Sequence, residues 1–183
     1  NFSEILFVGR LVHQKGLDIL LEALAHLPCT VRLKVIGDGP RYEDYVRRAH
    51  DLGLRERVRF CGSVDDPVPS MAQALCLVVP SRWEGFGHVI VEGMAAGCPV
   101  IATNCFSGPN EIIDHMINGM LVRPESVDEL VEALISLINS PELRGSLIHN
   151  GRIRASFYSL AQIGRQYNDY FKGIVNGKDF SQV

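Results

Sequence analysis

Long apolar runs are missing from this chain. None approaches the ~20 residues that a membrane-crossing helix needs, and the opening residues show no charged-then-apolar leader. An excess of positive charge is missing too: 18 Lys and Arg stand against 21 Asp and Glu, which leaves no footprint for nucleic acid. The pair Arg47-Arg48 reads as a solvated helix face. Cysteine is scarce and poorly spaced for a framework. The five, at positions 29, 61, 76, 98 and 105, are odd in number and contain no C-x-x-C. That argues against disulfide or metal scaffolds and for reduced thiols in a cytoplasmic compartment.

What is present is ordinary material for a globular domain: 183 residues, 46% hydrophobic and 21% charged. A chain of this length is expected to form one domain that buries roughly 70% of its unfolded surface. Its first residue is Asn1, and a strand begins within four residues, so the sequence is expected to be part of a longer polypeptide.

The apolar pattern alternates between strands and helices. Ile5-Leu6-Phe7-Val8 reads as a buried strand closed by Gly9. Leu17, Leu20, Leu21, Leu24 and Leu27 share one helical face, and Pro28 stops that helix. Further strands are expected at 31–36, 58–61, 75–79, 99–102 and 119–122, and helices at about 41–52, 67–74, 88–97 and 109–113. Ser126 and Glu129 form an S-x-x-E box ahead of the stripe Val127, Leu130, Val131, Leu134 and Ile138. Ser140-Pro141 opens another helix, and a last helical stretch is expected over 159–171. Six strands alternating with helices predict an α/β fold, a Rossmann-like doubly wound parallel sheet with helices on both faces. The domain is set at 1–172, with 173–183 a polar tail that frays.

Ligands of such sheets bind beyond the carboxyl ends of the strands, near the switch in strand order. The loop after the first strand, Gly9-Arg10-Leu11-Val12-His13-Gln14-Lys15-Gly16, is neither G-x-G-x-x-G nor a P-loop. It does carry two fixed cations, Arg10 and Lys15. Each can give a phosphate oxygen a charge-assisted bond of about 1.5–3 kcal/mol. Taken alone, the pair suits an ordinary surface as well as a phosphate clamp. The turn Glu84-Gly85-Phe86-Gly87-His88 favours the clamp. Gly85 and Gly87 let the backbone approach a ligand, and the free N–H groups of a helix start attract an anion.

Glu84 and Glu92 flank that turn. A glycosidase pair is set aside, because a cationic, phosphate-ready pocket keeps both carboxylates ionised and leaves no general acid. An ionised carboxylate is an acceptor only, and one can take both hydroxyls of a vicinal diol. Anion donors in the middle with diol acceptors on either side describe a site for a nucleotide-diphosphate sugar.

At these residues the chain resembles the retaining GT-B glycosyltransferases of the group 1 family. The matching runs are Gly9-Arg10, Lys15-Gly16, Gly37-Asp38-Gly39-Pro40, Val58-Arg59-Phe60-Cys61-Gly62 and Pro80-Ser81. They continue through Glu84-Gly85-Phe86-Gly87, Glu92, Met94-Ala95, Gly97, Pro99-Val100, Ser107-Gly108-Pro109-Asn110-Glu111-Ile112-Ile113 and Asn118-Gly119. Glu84 and Glu92 fit the family's E-x7-E spacing.

The resemblance implies the C-terminal, donor-binding half of a two-domain GT-B enzyme. In that half Arg10 and Lys15 neutralise the diphosphate and stabilise charge on the departing phosphate. Glu92 would accept from the ribose, while Glu84 and the Gly85-Phe86-Gly87 backbone would face the transferred sugar. Arg10, Lys15 and Glu84 are thus the candidate catalytic set. Gly9, Gly37 and the loop at Val64, beside the base, complete the candidate donor site. No cofactor and no divalent metal are implied, in keeping with the lack of a D-x-D; Asp65-Asp66 reads as a turn before Pro67.

The implied partners are a nucleotide-sugar donor, an N-terminal acceptor domain absent from this chain, and a saccharide or glycolipid acceptor. The implied location is cytoplasmic, or peripheral at the membrane through the absent domain. Without that domain the chain is expected to bind donor and to transfer little or nothing. His88 departs from the family, where the position is more often aliphatic; one turn before Glu92, it suits either donor contact or an exposed helix start. Trp83 is expected to cover the apolar side of its loop, His13 to be exposed, and Glu111 to cap or to bind. Gly93, Met94, Ala95, Ala96 and Gly97 are expected to let their helix lie close on the sheet. Two other readings stand beside the transferase: a non-catalytic nucleotide-sugar-binding module and a GT-B sugar-nucleotide epimerase. The nucleotide base, the sugar and the acceptor stay open.

Overall fold

Strands that read as continuous apolar runs are buried on both faces. In β4 (Cys76–Val79) and β5 (Val100–Thr103) every residue is buried, as is the centre of β1 (Ser3–Val8). These observations come from a computed structural model that describes residues 3–175. With β2 (Val31–Ile36), β3 (Val58–Phe60) and β6 (Met120–Val122) they form a six-stranded sheet of order β3-β2-β1-β4-β5-β6. Every neighbouring pair is parallel.

Parallel strands need crossovers, and the crossover helices cover the sheet. Helices α1 (Leu17–Ala25), α2 (Tyr42–Asp51) and α6 (Val127–Asn139) bury Leu20, Leu24, Tyr45 and Leu134 in one apolar cluster. On the other face, α3 (Val68–Gln73), α4 (His88–Ala96) and α5 (Pro109–Ile112) bury Met71, Ile90, Met94 and Ile112 in a second. Helix α7 (Pro141–Ser156) packs on both α4 and α6. The expected Rossmann-like, doubly wound sheet with helices on both faces is the observed one.

Helix α4 lies close on the sheet because Gly93 faces it; a Cβ there would come within 2.6 Å of Leu77 Cδ2. Met94 is buried as well, but Ala95 faces outward, so only part of the small-residue run serves this contact.

Other local expectations are also revised. Ser126 Oγ accepts from the Glu129 backbone N–H, as an N-cap does, but Glu129 does not complete the box. Its carboxylate accepts from the Arg123 backbone N–H at 2.6 Å and pairs with the Arg123 guanidinium. Helix α8 (Leu160–Val175) runs three residues past the expected boundary at 172. The remainder of the expected tail, from 176, lies outside the described residues, as do residues 1 and 2. Helix α8 carries its apolar residues Leu160, Tyr167, Tyr170, Phe171 and Ile174 exposed.

All five cysteines are free thiols. Burial pushes Cys98 up to about 12 and also raises Cys76, helped by the nearby Cys98, so neither is a thiolate at neutral pH.

Chain order reverses between β1 and β4: β1 leads outward to β2, and β4 leads the other way to β5. Their loops diverge at that point and leave a crevice at the carboxyl edge of the sheet.

Candidate functional site

Two loops build the crevice, and they touch. The loop after β1 passes through a single 3-10 turn, His13–Lys15, before Gly16 opens α1. Gly16 has φ 64°, and a Cβ on it would lie 2.0 Å from the Pro80 carbonyl oxygen at the end of β4. Only glycine permits that approach. The second loop ends at Gly87, which caps α4 with φ 91° and no side-chain cap bond, and this helix start, Gly87 to Val89, borders the crevice.

The crevice is a cleft of about 570 Å³ lined by Gly9, Arg10, Gln14, Lys15, Glu84, Gly85, Phe86, Gly87, His88 and Glu92. Val8, Gly9 and Arg10 are shared with an adjoining hollow of about 200 Å³ that is also lined by Gly37, Ser63, Val64 and Pro67. Each residue of the candidate catalytic and donor set therefore lines one of two adjoining hollows, although they come from four separate loops and the helix α4. Gly85 has open space where a Cβ would stand. Its backbone is thus accessible to a ligand.

The charges are not arranged as the sequence suggested. Cations and carboxylates were expected to occupy separate zones, yet Lys15 Nζ donates to Glu84 Oε1 at 2.7 Å. Ser81 Oγ donates to the same oxygen at 2.6 Å. The Glu84 side chain is only 6% exposed and that of Lys15 20%. By contrast, Arg10 and Glu92 are exposed, and among the described residues their side chains have neither ion pair nor hydrogen bond. His88 is also exposed, its ring set edge-on to Phe86 at 5.2 Å between centroids. Trp83 does not cover the loop as expected; it is 53% exposed and meets the exposed His13 edge-on. Glu111 is occupied as a cap, accepting from the Gly108 backbone N–H. Asp66 accepts from the Val68 backbone N–H in the turn around Pro67.

Several residues that hold this arrangement were not picked out as site residues from the sequence. Arg82 donates from its backbone N–H to the Gln14 carbonyl at 2.8 Å, and Gln14 Nε2 returns a bond to the Trp83 carbonyl at 2.9 Å. The Arg82 guanidinium grips Asp18 with two bonds, of 2.9 and 2.7 Å. Burial of Asp18 works against its ionisation, but the hydrogen bonds and charge of Arg82 prevail and hold it below the usual carboxylate range. Arg82 is correspondingly held above the ordinary arginine value by its bonds to Asp18, against the opposing effect of burial, with Glu125 adding to the rise. Thr103 Oγ1 donates to the Ser81 carbonyl, and Ser107 Oγ to the Gly85 carbonyl, propping the second loop from below. The polar run Ser81-Arg82 beside Glu84 was a usable signal; the remaining partners are distant in sequence.

Among the described residues, no three His, Cys, Asp or Glu side chains converge as a metal cluster, and no helix is long and apolar enough to cross a membrane.

A parallel sheet of this strand order, with a crevice at its switch point, is the doubly wound Rossmann architecture. The family described as Glycosyl transferases group 1 matches residues 2–154, and the chain belongs to that family, with the fold of its C-terminal domain. An uncharacterised glycosyltransferase of Methanocaldococcus jannaschii is 41% identical over 154 residues, 83% of this chain and 42% of the relative. HepE of Anabaena, crystallised with UDP, superposes with a TM-score of 0.89 at 30% identity, over 94% of this chain and 49% of that one. The C-terminal domain of a group 1 family glycosyl transferase from Francisella tularensis superposes with a TM-score of 0.76 at 30% identity, over 86% and 87%. The chain spans a little under half the length of the curated relatives it matches.

Proposed function

We propose that the chain is the donor-binding part of a glycosyltransferase that takes a UDP-sugar and transfers the sugar, with retained anomeric configuration and without a metal ion, to a saccharide or lipid-linked acceptor. One observation carries this reading: the expected donor residues line two continuous hollows at the switch crevice, arranged as a row. The hollow at Gly37 and Val64 suits the base, exposed Arg10 and the α4 N-terminus suit the diphosphate, and the cleft at Glu84 and Gly85 suits the sugar. UDP is preferred among nucleotides because HepE, a relative of the same fold, was crystallised with UDP and with UDP-glucose.

In this reading Arg10 and Lys15 compensate the charge that builds on the departing diphosphate. Glu92 accepts from the ribose diol. Glu84 binds Lys15 and Ser81 through one oxygen, so its other oxygen retains acceptor capacity for a sugar hydroxyl. No protein carboxylate acts as a general acid, and the leaving group needs none once its charge is neutralised by cations and helix N–H groups. The acceptor is brought by a second domain, so donor binding survives in this chain while transfer is lost.

Calorimetric titration of UDP, GDP and ADP tests the reading. UDP is expected to bind best, and Arg10→Ala to weaken it by roughly 10- to 100-fold, the equivalent of one charge-assisted bond. Equal affinity of both proteins for UDP would remove the clamp, and no binding of any nucleotide would remove the site. Unchanged affinity after EDTA treatment is the expected result for metal independence.

A further inference from the structure

The Arg82 guanidinium is engaged inside the protein. Its Nη1 bonds the His13 carbonyl at 2.8 Å and Asp18 Oδ1 at 2.9 Å. Nη2 bonds Asp18 Oδ2 at 2.7 Å and Glu125 Oε2 at 3.2 Å. Nε faces Glu125 Oε1 at 2.5 Å. Four hydrogen bonds and an ion pair thus hold the guanidinium, and the side chain is only 12% exposed. Arg82 lines neither hollow of the crevice although it lies two positions before Glu84, so it is not placed to bind a ligand there.

Its partners are instructive. The His13 carbonyl and, through the Arg82 backbone N–H, the Gln14 carbonyl are the two positions immediately before Lys15. Glu125 reaches Arg82 from a left-handed backbone, φ 61°, that a non-glycine residue adopts only under strain. The turn ahead of α6 is thus held in an unfavourable conformation with its carboxylate on the guanidinium. Strain of this kind collects where a geometry has to be fixed.

We infer that Arg82 is a positioning residue for donor binding: clamped between Asp18 and Glu125, it fixes the loop that carries Lys15 against the loop that carries Glu84. The inference rests on the donor-site reading above. Lys15 and Glu84 stand on opposite loops, so their registration depends on what ties the loops together. The hydrogen bonds that join the Lys15 end to the loop after β4 run through residues 82–84, and Arg82 makes two of them against one each for Trp83 and Glu84.

The test is a double-mutant cycle read by UDP titration into wild type, Arg82→Met, Lys15→Met and the double variant. A residue that acts through Lys15 gives a non-additive cycle, whereas one that merely stabilises the fold costs the same in either background. Arg82→Met is expected to weaken UDP about tenfold in wild type and less than twofold in Lys15→Met. Equal losses in both backgrounds, or no loss in wild type, overturn the inference while leaving the donor site intact. Failure of wild type to bind UDP overturns the donor-site reading, and this inference with it. If Arg82→Met does not fold, Glu125→Gln carries the same cycle, since it removes one ion pair at an exposed carboxylate. About a threefold loss in wild type and none in Lys15→Met is then expected, and equal losses overturn the inference. Arg82→Lys, which keeps the charge but not the fork, is expected to fall between wild type and Arg82→Met; a full return to wild-type affinity would show that charge alone suffices and also overturn it.

Discussion

Lys15 and Glu84, 69 residues apart in sequence, meet with Nζ 2.7 Å from Oε1 and Ser81 Oγ on the same oxygen. The pair spans the crevice floor and links the loop after β1 to the loop after β4. In the free protein the ammonium proposed to meet a diphosphate is therefore held by the carboxylate proposed to face the sugar.

Removing one partner of such a largely buried pair leaves the other without its counter-charge. Lys15→Met is expected to cost about 2 kcal/mol, a fall of roughly 4–8 °C in Tm for a chain of this size, and to weaken UDP binding. Glu84→Gln is expected to differ. It frees Lys15 for the phosphates, so UDP affinity is retained or rises. Melting curves and UDP titrations of both variants check this, and matching losses of UDP affinity would contradict it.

Gly85 is the contrasting case, because a Cβ there meets open space within the cleft region. Gly85→Ala is expected to leave Tm within about 1 °C, as surface changes do. A bulkier Gly85→Leu is expected to fold equally well and to weaken UDP-sugar binding more than UDP binding. Equal losses of affinity for both ligands, each relative to wild type, would place the sugar elsewhere.

The Asp18–Arg82 bond has a defined pH signature. Asp18 in the folded protein lies below its ordinary value near 3.9, which it resumes on unfolding. Its contribution is therefore complete above about pH 5 and is lost as pH falls through 4 toward the depressed folded value. The Tm difference between wild type and Asp18→Asn should be largest at neutral pH and shrink below pH 4. A difference that persists undiminished at pH 3 would mean that the carboxylate charge is not what stabilises the contact.

Helix α8 adds little to the core, since Leu160, Tyr167, Tyr170, Phe171 and Ile174 are exposed and only Ile163 among its described larger apolar side chains is half-buried. Deleting 160–183 is expected to change Tm by less than about 2 °C and to leave UDP affinity unaltered, as measured by melting and calorimetry. A large fall in Tm would assign α8 a packing role that its exposure does not suggest.

Much of this was legible in the chain itself, for identifiable reasons. Strands buried on both faces announce themselves as apolar runs, and a Gly-Phe-Gly turn between a strand and a helix marks the carboxyl edge. Those two signals place Arg10, Lys15, Gly37, Glu84 and Glu92 around one crevice, and the family resemblance adds Val64. The pairings inside it were not legible. Lys15 meets Glu84 because β1 and β4 are neighbours in a register that sets Ile5 beside Cys76, a relation no local pattern records. Arg82 was given no role because its partners Asp18 and Glu125 lie 64 and 43 residues away. Trp83 misled for the opposite reason: a large aromatic side chain suggests burial, but here the loop directs it outward. Glu129 matched a capping motif, yet Arg123 offered its carboxylate both a backbone N–H and a guanidinium.

The contact of Gly16 with the Pro80 carbonyl bears on the thermodynamics of recognition. Two loops in backbone contact cannot part without breaking the fold at its switch point, so their order is established when the chain folds. A ligand then meets a backbone already fixed, and the freedom lost on binding is confined to long side chains such as Arg10, Glu92 and Lys15. Preorganisation of this kind reduces the entropy opposing association. Binding should accordingly occur at a rate set by encounter, with no slow phase from loop closure and a modest dependence on temperature.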